Sequence, residues 1–235
     1  MAASTWLTAK PIAHRGLHSA GLPENSLAAI ETALAAGYPV EIDVRLSHDG
    51  RPIVFHDEDL ARMTGVKEAL ATLPSSRLAS LRLSETEEKI PLLQDVLDLT
   101  RGRQGLLIEI KSTESRGRLE AETARLLSSY QGDFAVQSFD PRSLTWFRKY
   151  APHITRGQLS SGWHDMKSIF SGNYLQNWLS RPHFLGHDRR RLPAAAVALF
   201  RKLGWPVLTW TVRSPAEREA ALPYADNIIF EQFRA

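Results

Sequence analysis

The sequence predicts an α/β fold, a TIM (β/α)8 barrel, on three observations. Short apolar strands alternate with helical segments about eight times along the chain, and repeated βα units imply a parallel sheet covered by helices. The 235 residues suit one such barrel, whose usual size is about 250 residues. No G-x-G-x-x-G or Walker sequence is present, so the Gly-rich phosphate turn usual in a doubly wound open sheet is missing.

The elements follow in order. The first strand covers 11–14 and ends in His14-Arg15-Gly16. Asn25 or Ser26 caps a helix through Ala36, which Gly37 closes. The strand at 40–46 carries Glu41, Asp43 and Arg45 on one face, because residues two apart in a strand point the same way. His48-Asp49-Gly50 is a turn signal, and 52–56 returns as a hairpin strand. Residues 57–90 read as an irregular polar insertion, with Gly65, Pro74 and many Ser, Arg and Glu. Pro91 stands at the first turn of a helix over 92–99. Then come a strand at 105–110, a helix at 119–130, a strand at 134–137, a helix at 141–150 and a strand at 154–159. Residues 160–182 read as loop, with a short helix at 174–179. The chain closes with a strand at 184–187, a helix at 193–203, a strand at 206–212, a helix at 215–222 and a strand at 227–230. Residues 1–235 are thus expected to form one domain with a small insertion at about 57–90.

Composition narrows the function classes. The absence of cysteine excludes a disulfide framework, thiolate zinc sites and thiol nucleophiles. A net charge of +3, with 22 Arg against 7 Lys, is too weak for nucleic acid but suits an anionic small molecule. The start of the chain lacks the basic region and apolar core of a signal peptide. No apolar run reaches the length of a membrane span. The expectation is a soluble cytoplasmic protein without a stable membrane anchor, its oligomeric state left open.

The chemistry lies where strands end, which in a barrel is the active-site face. His14 and Arg15 end the first strand, Glu41 and Asp43 share a face of the second, His56 and Asp57 end the hairpin, and Glu109 and Lys111 lie two apart on the next. Buried carboxylates cost several kcal/mol unless paired or bound to a metal (about that scale). Oxygen donors alone suit a hard ion: Mg2+, Ca2+ or Mn2+. Two histidines beside such an ion can divide acid and base work. Each residue singly has an ordinary structural role, a salt bridge or a hydrogen-bonded strand end. Their joint occurrence at successive strand ends is what points to a site.

Residues 12–57 contain IAHRG, then PENS, then EIDVRLSHDGRPIVFHD. PLLQDVLDL follows at 91–99, IEIK at 108–111, QSFD at 137–140 and TWTVR at 209–213. In this order the motifs resemble the glycerophosphodiester phosphodiesterase family over nearly the whole chain. The resemblance implies a TIM barrel with a small insertion after the HD motif. It implies Glu41, Asp43 and Glu109 as ligands of one divalent cation, Mg2+ or Ca2+ with Mn2+ also compatible. It implies His14 and His56 as the general acid/base pair, and Arg15 and Lys111 beside the substrate phosphate. Glu24 and Asn25 take a supporting role, and Trp210 shapes the glycerol side of the pocket. The implied reaction is hydrolysis of a glycerophosphodiester to glycerol 3-phosphate and an alcohol.

Two positions depart from the family pattern: Arg213, where Asn often follows TWTV, and Glu231 in IIFEQF, where the last strand usually ends in Thr-Asp. Two other readings compete. A related phosphodiesterase acting on lysophospholipid-type substrates is disfavoured by a short polar insertion. A non-catalytic phosphoglycerol-binding barrel is disfavoured by the complete set of His14, His56, Glu41, Asp43 and Glu109. The Arg189-Arg190-Arg191 run reads as a solvated loop, and His187 and Asp188 as candidates for the pocket. Trp163, His164, Tyr174 and Trp178 read as a packing cluster, a pocket wall or an interface.

Overall fold

The structure, a computed structural model, describes residues 5–111, 117–161 and 179–235. A short helix, α1 (Trp6–Ala9), precedes strand β1 (Ile12–His14) and helix α2 (Leu27–Ala35). The hairpin β2 (Val40–Leu46) and β3 (Pro52–Val54) follows. After it come the one-turn helices α3 (Ala61–Thr64) and α4 (Ser75–Leu78), then α5 (Leu93–Thr100). Regular alternation then runs through β4 (Leu106–Ile110), α6 (Arg118–Leu127), β5 (Phe134–Ser138), α7 (Pro141–Tyr150) and β6 (Arg156–Ser160). The last part holds β7 (Phe184–Asp188), α8 (Ala195–Lys202), β8 (Val207–Val212), α9 (Pro215–Ala221) and β9 (Asn227–Phe230).

The strands hydrogen-bond in the order β1-β9-β8-β7-β6-β5-β4-β2, and a β1–β2 pairing closes the ring. All eight ring strands are parallel, and β3 is an extra strand running antiparallel along β2. This is the predicted TIM barrel. Closure brings His14 of β1 beside Glu41 of β2, and the neighbouring β2–β4 pairing sets Asp43 beside Glu109, each as direct partners in the ladder.

Helix ends are capped where the sequence offers a short polar side chain. Ser26 accepts from the Ala29 N–H, Asp140 from Arg142 and Ser214 from Glu217. At α5, Asp95 reaches back to the Leu92 N–H at 2.9 Å. Outside the strands, one apolar cluster packs the helices onto the sheet, with Ile30, Val96, Leu126 and Phe147 among its members.

Inside the barrel, the lower layer is apolar. Trp6 and Leu7 of α1 pack with Ile12, Leu107, Ala135, Phe184, Leu208 and Ile229. A β-carbon on Gly157 would lie 2.1 Å from the Phe184 ring, so the ring fills the space that Gly157 leaves. The same holds for Gly105 beneath Trp6, at 2.2 Å. Two residues further along the same inward faces stand His14, Glu109, Gln137, Trp210 and Glu231, which line the cavity, so the site begins where this layer ends.

Beyond shifts of one to three residues at element ends, the structure differs from the sequence reading in three places. The hairpin strand ends at Val54 rather than 56, which puts Phe55 and His56 in the loop above it. Segment 57–90 is not irregular throughout. It folds on its own apolar cluster of Leu60, Met63, Leu70, Leu78, Leu81, Leu83 and Ile90, seated on Ile53 and Phe55. Helix α1 was not expected at all. All but the last residue of the short helix expected at 174–179, and the cluster of Trp163, His164, Tyr174 and Trp178, lie outside the described residues. Among the described residues, no helix is long and apolar enough to cross a membrane.

Candidate active site

The loop between β1 and α2 assembles one side of the site. Arg15 and Asn25 both take left-handed backbone conformations, at φ 54° and 58°, and the Asn25 N–H donates to the Arg15 carbonyl at 2.9 Å. Such conformations are costly for residues with a β-carbon and cluster at functional sites. Here they aim two side chains at one carboxylate. The Asn25 amide donates to Asp43 Oδ2 at 2.9 Å, and Arg15 Nε pairs with the same oxygen at 3.0 Å. Arg15 also donates to Glu24 Oε1 at 2.8 Å.

Gly16 completes the turn at φ 82°, and a β-carbon there would lie 2.6–2.8 Å from backbone atoms of Ala29 and Ile30. Neither the loop nor α2 can give way cheaply. Gly16→Ala is therefore expected to cost about 1–3 kcal/mol of stability. It is also expected to lower activity by moving Arg15. Denaturant unfolding measured alongside turnover checks both.

Glu41, Asp43 and Glu109 converge. Each is buried, and a carboxylate oxygen from each lies within 4.8 Å of the others. Lys111 Nζ stands against two of them, 2.6 Å from Glu109 Oε1 and 3.1 Å from Asp43 Oδ1. Gln137 Nε2 and the Arg15 N–H approach Glu41 at 3.4 and 3.3 Å. Burial opposes charge on Asp43, but Lys111 and Arg15 hold its carboxyl well below the ordinary range. Burial and the like charges of Asp43 and Glu109 push Glu41 well above it. Glu109 is pushed up to about 7 by burial and by Asp43. Two carboxylates that resist ionisation beside a third that is held ionised describe a centre short of positive charge. An all-oxygen set of this kind fits a hard divalent cation.

The two histidines each give Nδ1 to a carboxylate. His14 Nδ1 lies 2.6 Å from Glu231 Oε2, and its Nε2 faces Glu41 at 3.9 Å. His56 Nδ1 lies 2.6 Å from Asp57 Oδ1, and the His56 carbonyl accepts from Arg45 Nε at 2.7 Å. Burial draws both imidazoles below the ordinary histidine value.

Arg62, from α3 of the insertion, ties the two halves together. It donates to Asp57 Oδ2 at 2.6 Å and to both oxygens of Glu24 at 2.7 and 3.1 Å.

These groups open on one cavity of about 350 Å³. His14, His56, Arg15, Glu24, Glu41, Glu109, Lys111 and Trp210 line it. Asp43 and Asn25 sit beneath the lining, reached through Arg15 and Lys111. Trp210 meets Phe139 edge-on, with ring centres 5.6 Å apart, as one wall. His187 and Asp188 do not line it; Asp188 instead pairs with Arg190 at 2.6 Å. Arg189 pairs with Glu217, so two of the three consecutive arginines are tied locally rather than free in solvent.

Several lining residues were not singled out from sequence. His18 lies four residues past His14 in the same strand-end loop, and Gln137 and Phe139 lie inside QSFD. Their positions at strand ends were the available signal. Arg62 had none, because it acts from an insertion whose fold was not read.

Comparison with known proteins covers the same span. A family model described as the glycerophosphoryl diester phosphodiesterase family matches residues 14–229. The Bacillus subtilis protein YhdW is 30% identical over 212 residues, covering 86% of each chain. A glycerophosphodiester phosphodiesterase of Bacillus altitudinis is 36% identical over 157 residues, 62% of this chain and 64% of its own. Among solved structures, an Oleispira antarctica phosphodiesterase in complex with the product sn-glycerol-3-phosphate superposes with a TM-score of 0.81 at 25% identity. It covers 94% of this chain and 92% of that one. Because the family match begins at His14, at the mouth of the first barrel strand, and ends at Ile229 in the last, it takes in the whole ring, and the chain belongs to the glycerophosphoryl diester phosphodiesterase family of enzymes.

Proposed function

We propose that the protein hydrolyses glycerophosphodiesters to glycerol 3-phosphate and a free alcohol, with a divalent cation and two histidines. The observation that carries this reading is the shared cavity, in which both histidines, two of the three clustered carboxylates and Lys111 face one space. Its volume of about 350 Å³ is at the small end for ligand sites, which run from about 300 Å³ upward.

Glu41, Asp43 and Glu109 would hold the cation, Mg2+ or Ca2+ with Mn2+ also compatible, and the bound ion supplies Lewis acidity at a phosphoryl oxygen. The remaining work falls to side chains. Each histidine has Nδ1 engaged by a carboxylate, which leaves Nε2 as the nitrogen that exchanges protons. One ring takes the proton from the attacking hydroxyl, either the glycerol 2-hydroxyl or water. The other delivers a proton to the departing alcohol oxygen. Where the 2-hydroxyl attacks, a cyclic phosphate forms first and water opens it with the roles exchanged. Arg15 and Lys111 place positive charge on the phosphate side of the cavity. The Trp210 face, backed by Phe139, gives the carbon side of glycerol an apolar wall.

The test is a panel of glycerophosphodiesters, among them glycerophosphoglycerol and glycerophosphoethanolamine, with product followed as glycerol 3-phosphate. The expected result is stoichiometric release of glycerol 3-phosphate and alcohol. Release of the alternative phosphomonoester, or binding without turnover of any member, would refute the reading.

A further inference from the structure

Arg213 and Glu231, the two departures from the family pattern, meet in the structure. Glu231 follows β9 and is 8% exposed. One of its oxygens lies 2.6 Å from His14 Nδ1 and 3.5 Å from His18 Nε2, and the other accepts from Arg213 Nε at 2.8 Å. Burial alone would favour a neutral carboxyl. The hydrogen bond from His14, the nearby His18 and the charge of Arg213 outweigh it and hold Glu231 ionised. Arg213 is itself fixed: its backbone N–H donates to Glu217 Oε2 at 2.6 Å, and Glu217 also pairs with Arg189 at the end of β7.

An ionised carboxylate can only accept hydrogen bonds. A neutral His14 next to Glu231 must therefore carry its proton on Nδ1 and present an unprotonated Nε2. That nitrogen lies 3.9 Å from Glu41, and His14 lines the cavity.

We propose that Glu231 is the positioning residue for His14, setting its tautomer and ring orientation, and that Arg213 is the positioning residue for Glu231. The proposal rests on reading His14 as a proton-transfer group. The paired departures then have one explanation. A longer acid at the end of the last strand reaches the first-strand histidine, and the arginine at the end of β8 takes up its second oxygen.

The experiment compares Glu231→Gln, Glu231→Asp, Arg213→Gln and His14→Ala with the unaltered protein. Turnover, thermal midpoint and the ring 15N spectrum of His14 are measured for each. Gln keeps the shape of Glu231 but has one acceptor oxygen for two donors. Glu231→Gln is expected to lower kcat by about 100-fold, the low end of what a positioned proton-transfer group contributes. KM should stay within about threefold, and the 15N spectrum should show His14 populating the Nε2–H tautomer. Glu231→Asp keeps the charge and is expected to recover about tenfold of that loss. Arg213→Gln is expected to lower kcat by about tenfold, as loss of an outer hydrogen-bond partner does.

A Glu231→Gln protein with kcat within about twofold of the unaltered protein overturns the proposal. So does an unchanged His14 tautomer in that variant. Losses in Glu231→Gln and Glu231→Asp that are equal and track the fall in thermal midpoint would assign a structural role only, and overturn it as well. If His14→Ala turns over normally, it is the reading of His14 that fails, which separates the two failures.

Discussion

His14→Ala and His56→Ala should each lower kcat by about 10²- to 10⁴-fold, the usual contribution of a general acid or base, while the barrel stays folded. The second half of this expectation comes from what each imidazole leaves behind. Removing His14 leaves Glu231 still paired with Arg213 at 2.8 Å and near His18 at 3.5 Å. Removing His56 leaves Asp57 paired with Arg62 at 2.6 Å. No buried carboxylate is stranded in either case, so the large penalty for an uncompensated charge does not arise. His56 is also one-third exposed at its side chain, which limits the cavity its loss creates. Steady-state kinetics with thermal unfolding of the same preparations checks the pair of claims. Near-full turnover in either variant removes that histidine from the mechanism.

Removal of divalent cations should abolish turnover and make stability respond to pH in a particular direction. Without a cation, Glu109 binds its proton up to about pH 7, whereas in the unfolded chain it gives the proton up near 4.5. Within that window the folded state holds the extra proton, so the metal-free protein loses stability as pH rises through it. Glu41, raised by burial and by its acidic neighbours, acts in the same sense. Asp43 acts oppositely and elsewhere: its carboxyl is held below 3.8, so its contribution is present above that value and is lost only as pH falls further.

A divalent ion competes with the protons on Glu41 and Glu109, so its affinity should climb with pH. The gain in thermal midpoint on adding Mg2+ or Ca2+ should therefore be larger near pH 8 than near pH 5. An ion at about 100 times its Kd adds about 2.7 kcal/mol. The measurement is thermal unfolding with and without the ion at several pH values, beside activity before and after chelation. Turnover that survives chelation, with a midpoint gain flat in pH, would remove the cation from this site.

How much of this was legible in the sequence depends on the range over which each signal acts. Glu41 and Asp43 could be placed on one inward face because strand alternation is local. Their meeting with Glu109 followed from the parallel register of neighbouring strands, which the repeated βα pattern implies. The contact between His14 and Glu231 joins residues 217 apart in the chain. It exists because β9 closes on β1, and nothing in the local pattern specifies its distance. The insertion failed to read for another reason. Leu60, Met63, Leu70, Leu78, Leu81 and Leu83 follow neither the helical nor the strand period, so a small core looked like polar loop. Four-residue α1 is too short to show any period, and its two apolar side chains gain meaning only from the barrel floor they fill.

That floor governs traffic. Trp6, Leu7 and Phe184 seal the lower end of the barrel, and the cavity lies above them among the strand ends. Among the described residues the site is a well closed from below and open at the strand-end face. In a two-stage hydrolysis through a cyclic phosphate, the departing alcohol and the incoming water must use the same opening. On the proposed reaction, the alcohol would have to clear that opening before water reaches the phosphorus, and glycerol 3-phosphate would leave last.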